Sequence, residues 1–141
     1  MKIYFAGSIR SGRQDVTIYS ALITHLRSYG QVLSDFVGDP AITDKGRVEF
    51  THQEIYDYDS GLVRQADALV ADISTPSIGV GYEIGLAESR NIPIMALYRE
   101  GTSAHASPMV LGNSNIQSRS YQTLDEAFAH LETFFSILTK Q

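Results

Sequence analysis

Short apolar runs alternate along the chain with stretches in which apolar residues recur at helical spacing. The first run covers residues 2–5 and is followed by Gly7. A helical pattern then extends to Gly30, so we expect a strand, a turn and a helix that ends at a glycine. The apolar positions of that helix are Ile18, Ala21, Leu22, Leu26 and Tyr29.

Two later runs, at residues 68–73 and 94–98, are nearly all apolar. This composition is typical of parallel strands that are covered on both faces. A short helix over residues 80–89 must lie between them, and a helical pattern also covers residues 51–65. Residues 37–48 mix glycine and proline with charges, which predicts a loop that we expect to be mobile.

The closing segment predicts a helix that starts with a capping box formed by Thr123 and Glu126. Its apolar face comprises Leu124, Ala127, Phe128, Leu131, Phe135 and Leu138. Strands that alternate with helices indicate one α/β domain over residues 1–141, with a doubly wound parallel sheet of the Rossmann-like or flavodoxin-like kind. Ligands of such sheets bind beyond the carboxyl ends of the strands, here after Phe5, Ile73 and Tyr98.

The composition excludes several classes of function. The 141 residues carry a net charge of −5 and no cysteine, which excludes disulfides and thiolate chemistry and argues against binding to nucleic acid polymers. No apolar run approaches the roughly 20 residues of a membrane span, and the N-terminus does not read as a signal peptide. We therefore expect a cytoplasmic protein that binds no membrane. Its four histidines show no ligand spacing, so we predict no metal.

Residues 7–13 (Gly-Ser-Ile-Arg-Ser-Gly-Arg) lie between the first strand and the first helix. Glycines, hydroxyls and two cations at a helix start favour a phosphate cradle, since backbone N–H groups there attract anions. A plain turn with solvated arginines is the alternative. Arg13-Gln14 stands where a nucleoside triphosphate loop requires Lys-Ser or Lys-Thr, which disfavours magnesium-dependent phosphoryl transfer.

Residues 74–85 run from a buried strand into a short helix and place Glu83 in a glycine-rich first turn. We expect the helix dipole to keep Glu83 ionised at neutral pH, as a carboxylate nucleophile requires. Alternatively, Glu83 only complements the dipole of its own helix. A dinucleotide site built on Gly79 and Gly81, with Glu100 on the ribose, ranks lower because Ile84 occupies the third glycine position.

Asp57 and Asp59 lie on the helix before the buried strand and point in different directions. If Asp59 meets Glu83 over a sugar, the pair suits glycosidic cleavage; a solvated acidic helix face is the alternative. Residues 99–115 form a long Ser-, Gly- and Asn-rich span. Its Ser107-Pro108-Met109-Val110 core would suit a subunit contact.

Residues 4–13 (YFAGSIRSGR) and 77–85 (SIGVGYEIG) resemble the 2′-deoxynucleoside 5′-phosphate N-hydrolases, which belong with the nucleoside 2-deoxyribosyltransferases. The similarity extends from the first strand to Met109 and more loosely over the closing helix. It implies hydrolysis of the N-glycosidic bond of a 2′-deoxynucleoside 5′-monophosphate to a free base and 2-deoxyribose 5-phosphate. It also implies a homodimer that needs neither metal nor cofactor.

The resemblance assigns roles to particular residues. Glu83 matches the nucleophile that forms a glycosyl-enzyme, Asp59 the acid that assists base departure, and Tyr4 a tyrosine beside the sugar. The phosphate would be bound by Ser8, Ile9, Arg10, Ser77 and Gly79, with Ser107 contributed by the neighbouring subunit. The base and sugar pocket would include Gly7, Phe36 and Met109.

Phe36 departs from the family pattern, because some relatives carry histidine there. Base preference and the choice between ribose and deoxyribose therefore stay open. A nucleoside 2-deoxyribosyltransferase, a ribonucleotide N-glycosidase of the cytidine monophosphate type and a nucleotide-binding module without turnover are the alternatives.

Overall fold

Five parallel strands form one sheet in the order β2-β1-β3-β4-β5, which is the flavodoxin-like order. The computed structural model describes residues 1–140; Gln141, the last residue of the predicted domain, lies outside the described residues. The predicted doubly wound parallel sheet is confirmed. The strands are β1 (Lys2–Ala6), β2 (Gln31–Val32), β3 (Ala68–Asp72), β4 (Ile94–Arg99) and β5 (Ile116–Tyr121).

Helices cover both faces of the sheet. They are α1 (Val16–Leu26), α2 (His52–Gln65), α3 (Ile78–Ser89), α4 (Pro108–Leu111) and α5 (Leu124–Leu138), with a 3₁₀ turn at Asp35–Gly38. Helices α1 and α5 pack together on one core, and α2 and α3 on the other. Within residues 1–140, no helix has both the length and the apolar character that crossing a bilayer would require.

The alternation of β1 decides which of its side chains face each core. Ile3 and Phe5 belong to the core under α1 and α5, whereas Tyr4 and Ala6 belong to the core under α2 and α3. Successive side chains of a strand point to opposite faces. Tyr4 is therefore directed toward the helices that carry Asp59 and Glu83.

Helix starts follow the capping chemistry of the sequence. At α2, Thr51 Oγ1 accepts the Glu54 N–H at 3.1 Å, and the Glu54 carboxylate accepts the Thr51 N–H. This capping box was not predicted. At α5, Thr123 accepts the Glu126 N–H, but the Glu126 carboxylate accepts from Gln122. The predicted helix at α5 is confirmed, and only half of its predicted capping box forms.

The C-terminal third differs from the sequence prediction in two places. Strand β5 was not predicted, because its sequence Ile-Gln-Ser-Arg-Ser-Tyr is polar between two buried ends. As the edge strand of the sheet it needs no apolar residues on its exposed positions. The span predicted as a loop, residues 99–115, contains the short helix α4, which Ser107 caps by accepting the Met109 N–H.

Candidate active site

A cavity of about 370 Å³ lies beyond the carboxyl ends of β1 and β3. The two strands are neighbours in the sheet, and the chain leaves them toward opposite faces, which opens a crevice at this point. We call this space the central cavity. It is lined by Gly7, Ile9, Arg10, Ser11, Gly46, Arg47, Ile55, Asp59, Ser77, Ile78, Gly79, Val80 and Glu83.

Glu83 lines the central cavity, and Tyr4 lies beneath it in contact with Glu83. The Tyr4 hydroxyl donates to Glu83 Oε1 at 2.7 Å across 79 positions of sequence. Tyr4 is itself only 1% exposed. Burial raises the pKa of Tyr4 well above its ordinary value, and the neighbouring Glu83 carboxylate adds to that rise. Tyr4 therefore keeps its proton and serves as a fixed donor to Glu83.

The prediction that the helix dipole keeps Glu83 ionised at neutral pH is wrong. Glu83 is the sixth residue of α3, in the second turn, where the influence of the helix N-terminus has declined. Burial raises its pKa to about 8, which the hydrogen bond from Tyr4 opposes. Desolvation of the charged form thus outweighs the donors that favour it.

Asp59 reaches the same cavity from α2, whereas Asp57 is exposed. The Arg47 Nη2 donates to both Asp59 oxygens, at 2.7 and 2.6 Å. The side chains of Arg47 and Asp59 are 10% and 17% exposed. Burial raises the pKa of Asp59, and the Arg47 guanidinium opposes that rise. Asp59 also raises the pKa of Glu83, so the two carboxyl groups interact electrostatically across the cavity.

Residues with free backbone donors also line the central cavity. Within residues 1–140, the N–H groups of Ile9, Arg10 and Ser11 donate to no other group, and neither do those of Ile78 and Gly79 at the start of α3. Ser77 caps α3 by accepting the Val80 N–H. Unused N–H groups in a loop and at a helix N-terminus are suited to an anion.

Ser8 does not line the central cavity. Its side chain is fully buried and donates to the Gly12 carbonyl at 3.1 Å, and its N–H donates to the Tyr19 hydroxyl at 3.1 Å. Ser8 therefore shapes the loop of residues 7–13 from beneath.

Three predicted site residues lie in neighbouring depressions. Ser107 and Met109 line a second cavity of about 490 Å³ between α3 and α4, which shares Ser11, Ser77 and Ile78 with the central cavity. Phe36 lines a groove of about 800 Å³ on the other side of Arg47, which we call the aromatic groove. The chain thus brings Glu83, Asp59, Gly7, Ile9, Arg10, Ser77 and Gly79 to one cavity, with Tyr4 beneath it.

Arg47 is the site residue that the sequence did not reveal. It lies in an irregular segment without periodicity, and its neighbours in space, Phe36 and Asp59, are eleven and twelve positions away. The one local signal is Gly46, whose φ of 76° marks a specific turn before Arg47.

Fold and cavity together define a doubly wound α/β protein. Its cavity at the topological switch point of the sheet is lined by two carboxyl groups and by residues with free N–H donors. Residues 3–128 match the profile of the family described as nucleoside 2-deoxyribosyltransferase. The chain belongs to the nucleoside 2-deoxyribosyltransferase family, as the resemblance predicted.

Named relatives are similar over most of the chain. A Syntrophotalea carbinolica protein named as a 2′-deoxynucleoside 5′-phosphate N-hydrolase is 43% identical over 132 residues, covering 94% of this chain and 92% of its own. A Danio rerio 5-hydroxymethyl-dUMP N-hydrolase is 40% identical, with 99% of each chain covered. The solved structure of a Clostridium botulinum CMP N-glycosidase has the same fold, with a TM-score of 0.69, 20% identity, and coverage of 95% of this chain and 99% of that one.

Proposed function

We propose that this protein hydrolyses the N-glycosidic bond of 2′-deoxynucleoside 5′-monophosphates, releasing the free base and 2-deoxyribose 5-phosphate. One observation carries the proposal: Glu83 and Asp59 line a single cavity whose other lining residues include several with unused backbone N–H donors. Enzymes that cleave glycosidic bonds commonly use such a pair of carboxyl groups. The family relatives named as deoxynucleoside monophosphate N-hydrolases support the same reaction.

In the proposed reaction, the ionised form of Glu83 attacks the anomeric carbon. The bond to the base breaks, its electron pair leaves with the base nitrogen, and a glycosyl-enzyme forms on Glu83. Asp59, whose pKa is raised by burial, assists departure of the base. Tyr4 orients the Glu83 carboxylate through its hydrogen bond, and water then hydrolyses the glycosyl-enzyme.

The phosphate of the substrate would occupy the donor-rich wall. This part of the cavity is lined by Ile9, Arg10, Ser77 and Gly79. It offers the N–H groups of Ile9, Arg10 and Gly79 and the side chain of Arg10, and Ser8 supports the loop of residues 7–13. A nucleoside substrate with a bare 5′-hydroxyl would leave these groups without an anion to bind, so its transition state would lose binding energy. This favours a monophosphate hydrolase over a transferase of unphosphorylated nucleosides.

We propose further that a second copy of the chain completes the site. Ile78 and Met109, at the rim of the cavity between α3 and α4, are 93% and 82% exposed. Gly81 and Gly85 leave the exposed side of α3 open, since a Cβ at either would meet nothing within 4 Å. A partner chain can therefore approach closely and insert its Ser107 loop near the phosphate.

For the shared site, we expect Ser107→Ala to raise KM for a monophosphate about ten- to a hundredfold, as loss of one hydrogen bond to a charged group would. Sedimentation velocity gives the oligomeric state in parallel. A monomer with full activity would refute the shared site. Ser103→Ala, in the same loop but outside the cavity, is the matched control.

A chromatographic screen of ribo- and deoxyribonucleoside monophosphates for base release tests the proposed reaction. The set should include 5-hydroxymethyl-dUMP and CMP, the substrates named for relatives. We expect turnover of deoxyribonucleoside monophosphates and little with unphosphorylated deoxynucleosides. Exchange of free bases between unphosphorylated deoxynucleosides would identify a transferase, and tight binding without product a nucleotide-binding module. Nucleoside monophosphates are intracellular metabolites, so a cytoplasmic location forms part of this proposal.

A further inference from the structure

Arg47 lies at the boundary between the central cavity and the aromatic groove. It lines both spaces, as does Ile55. Its guanidinium carbon lies 4.1 Å from the centre of the Phe36 ring and 5.8 Å from that of Tyr58. On a third side of the guanidinium, the Asp59 carboxylate accepts hydrogen bonds from Arg47 Nη2. The cation is therefore held in one orientation by two aromatic rings and a carboxylate.

The guanidinium has donors left over. A single nitrogen, Nη2, makes both bonds to Asp59, and within residues 1–140 neither Nε nor Nη1 donates to any group. The Arg47 side chain is only 10% exposed. Within residues 1–140, neither Nε nor Nη1 is among the fully buried side-chain atoms that lack a partner, so both keep a surface that an acceptor can reach. The cavity beside Glu83 and Asp59 is where such an acceptor would lie.

Resting on the proposed function, we propose that Arg47 is a further catalytic residue, which donates hydrogen bonds to an acceptor on the departing base. When the glycosidic bond breaks, its electron pair passes to the base nitrogen and spreads onto the base carbonyl oxygens. The Glu83 oxygen takes its place on the anomeric carbon, and the departing base carries negative charge until it takes a proton from Asp59, the acid of the proposed reaction. A fixed, poorly hydrated cation stabilises that developing charge.

This role differs from that of an ordinary ion pair. A guanidinium remains charged at any working pH, so it stabilises the anionic base without transferring a proton. Asp59 then acts also as a positioning residue, because it holds the guanidinium with both of its oxygens. A base that presents a carbonyl oxygen beside the glycosidic nitrogen, as pyrimidines do, matches the two free donors.

The experiment varies the leaving group. Release of uracil, 5-methyluracil and 5-fluorouracil from their deoxyribose monophosphates is compared in wild type, Arg47→Met and Arg47→Lys. We expect Arg47→Met to lower kcat for dUMP about 10²-fold, as loss of an oxyanion donor does. The loss should be at least several-fold smaller for the 5-fluoro substrate, whose base is the more acidic leaving group. The kcat of Arg47→Lys should lie between those of the wild type and Arg47→Met.

Arg27→Met is the matched control, because it breaks another arginine–aspartate pair whose side chains are 55% and 57% exposed. Equal losses of kcat on all three substrates, or a loss confined to KM, would overturn the role of Arg47 while leaving the proposed function intact. No base release by wild type would instead overturn the proposed function itself. If Arg47→Met does not fold, Arg47→Lys provides the test. The proposal is overturned if Arg47→Lys has the kcat of the wild type and the same dependence of kcat on the leaving group.

Discussion

Two buried tyrosines, Tyr121 and Tyr4, each donate to a carboxylate, and the two pairs differ in how completely the carboxylate is hydrogen-bonded. Tyr121 donates to Asp72 at 2.6 Å, and Asp72 also accepts the Ser74 N–H at 3.0 Å in a buried setting. Tyr4 donates to Glu83 at 2.7 Å, and no other hydrogen bond within residues 1–140 reaches that carboxylate, which opens onto the central cavity.

Burial raises the pKa of both carboxyl groups, so a shifted pKa alone does not distinguish them. The difference lies in the remaining lone pairs. The lone pairs of Asp72 accept hydrogen bonds from Tyr121 and Ser74, and these bonds hold β5 and the loop after β3 in place. Those of Glu83 face a space large enough for a ligand. The comparison indicates that Asp72 stabilises the fold and Glu83 is available for reaction.

The strongest way to break this comparison is to neutralise each carboxylate in turn. We expect Glu83→Gln to lower kcat for base release by about 10³-fold or more, because the amide is no nucleophile. Asp72→Asn should lower the free energy of unfolding by about 1–3 kcal/mol, since a buried hydrogen-bond network is disturbed. Its activity per folded molecule should stay within about threefold of wild type.

Base release and urea denaturation, measured on both variants, decide the matter. If Asp72→Asn lost catalysis while remaining folded, or if Glu83→Gln kept it, the division of roles between the two carboxyl groups would be reversed.

Exchanging each tyrosine for phenylalanine sharpens the comparison through pH. Glu83 must be ionised to attack, so with a pKa of about 8 we expect kcat/KM to rise with pH up to about 8 and then level off. The Tyr4 hydrogen bond lowers that pKa, so Tyr4→Phe should move the rise to higher pH by about one unit. At pH 7 this makes kcat/KM about tenfold lower.

Tyr121→Phe is the control, because it removes the same atom from the other pair. Its pH profile should match that of the wild type although its melting temperature falls. A profile that is unchanged in Tyr4→Phe would show that Glu83 ionisation does not limit the reaction.

The smallest expected effect concerns stability. The pKa of Glu83 is higher in the folded protein than its ordinary value of 4.5, so the folded state binds more protons between pH 4.5 and about 8. Stability should therefore fall as pH rises through this window. Because glutamine carries no charge, we expect Glu83→Gln to raise the free energy of unfolding by about 1–3 kcal/mol at pH 8.5 and by little at pH 4.5. Thermal melts at the two pH values measure this difference; equal effects at both would contradict it.

The parts of the fold that the sequence predicted are those in which local pattern and burial agree. Strands β1, β3 and β4 are apolar because helices cover them, and α5 shows its buried stripe directly. Strand β5 escaped prediction because an edge position tolerates polar residues, so its Gln117–Ser120 stretch lacks an apolar pattern. Its place in the sheet depends on pairing with β4, which no local pattern encodes.

The candidate site shows the same division. Glu83 and Asp59 were identifiable because each lies in or beside a recognisable motif, and the structure places both at one cavity. The ionisation of Glu83 was predicted wrongly because burial depends on tertiary packing, whereas the helix dipole can be read locally. Arg47 was missed because its contacts with Phe36 and Asp59 arise from the path of an irregular loop.

The position of Tyr4 in the middle of β1 couples the candidate reaction to the far side of the sheet. Ile3 and Phe5, its chain neighbours, are fully buried against α1 and α5. A slip of β1 by one residue would replace the hydroxyl beneath Glu83 with a hydrophobic side chain. Residues on the far side of the sheet from the cavity thus fix the position of the Tyr4 hydroxyl. Substitutions in that distant layer can therefore change turnover while every residue that lines the cavity stays the same.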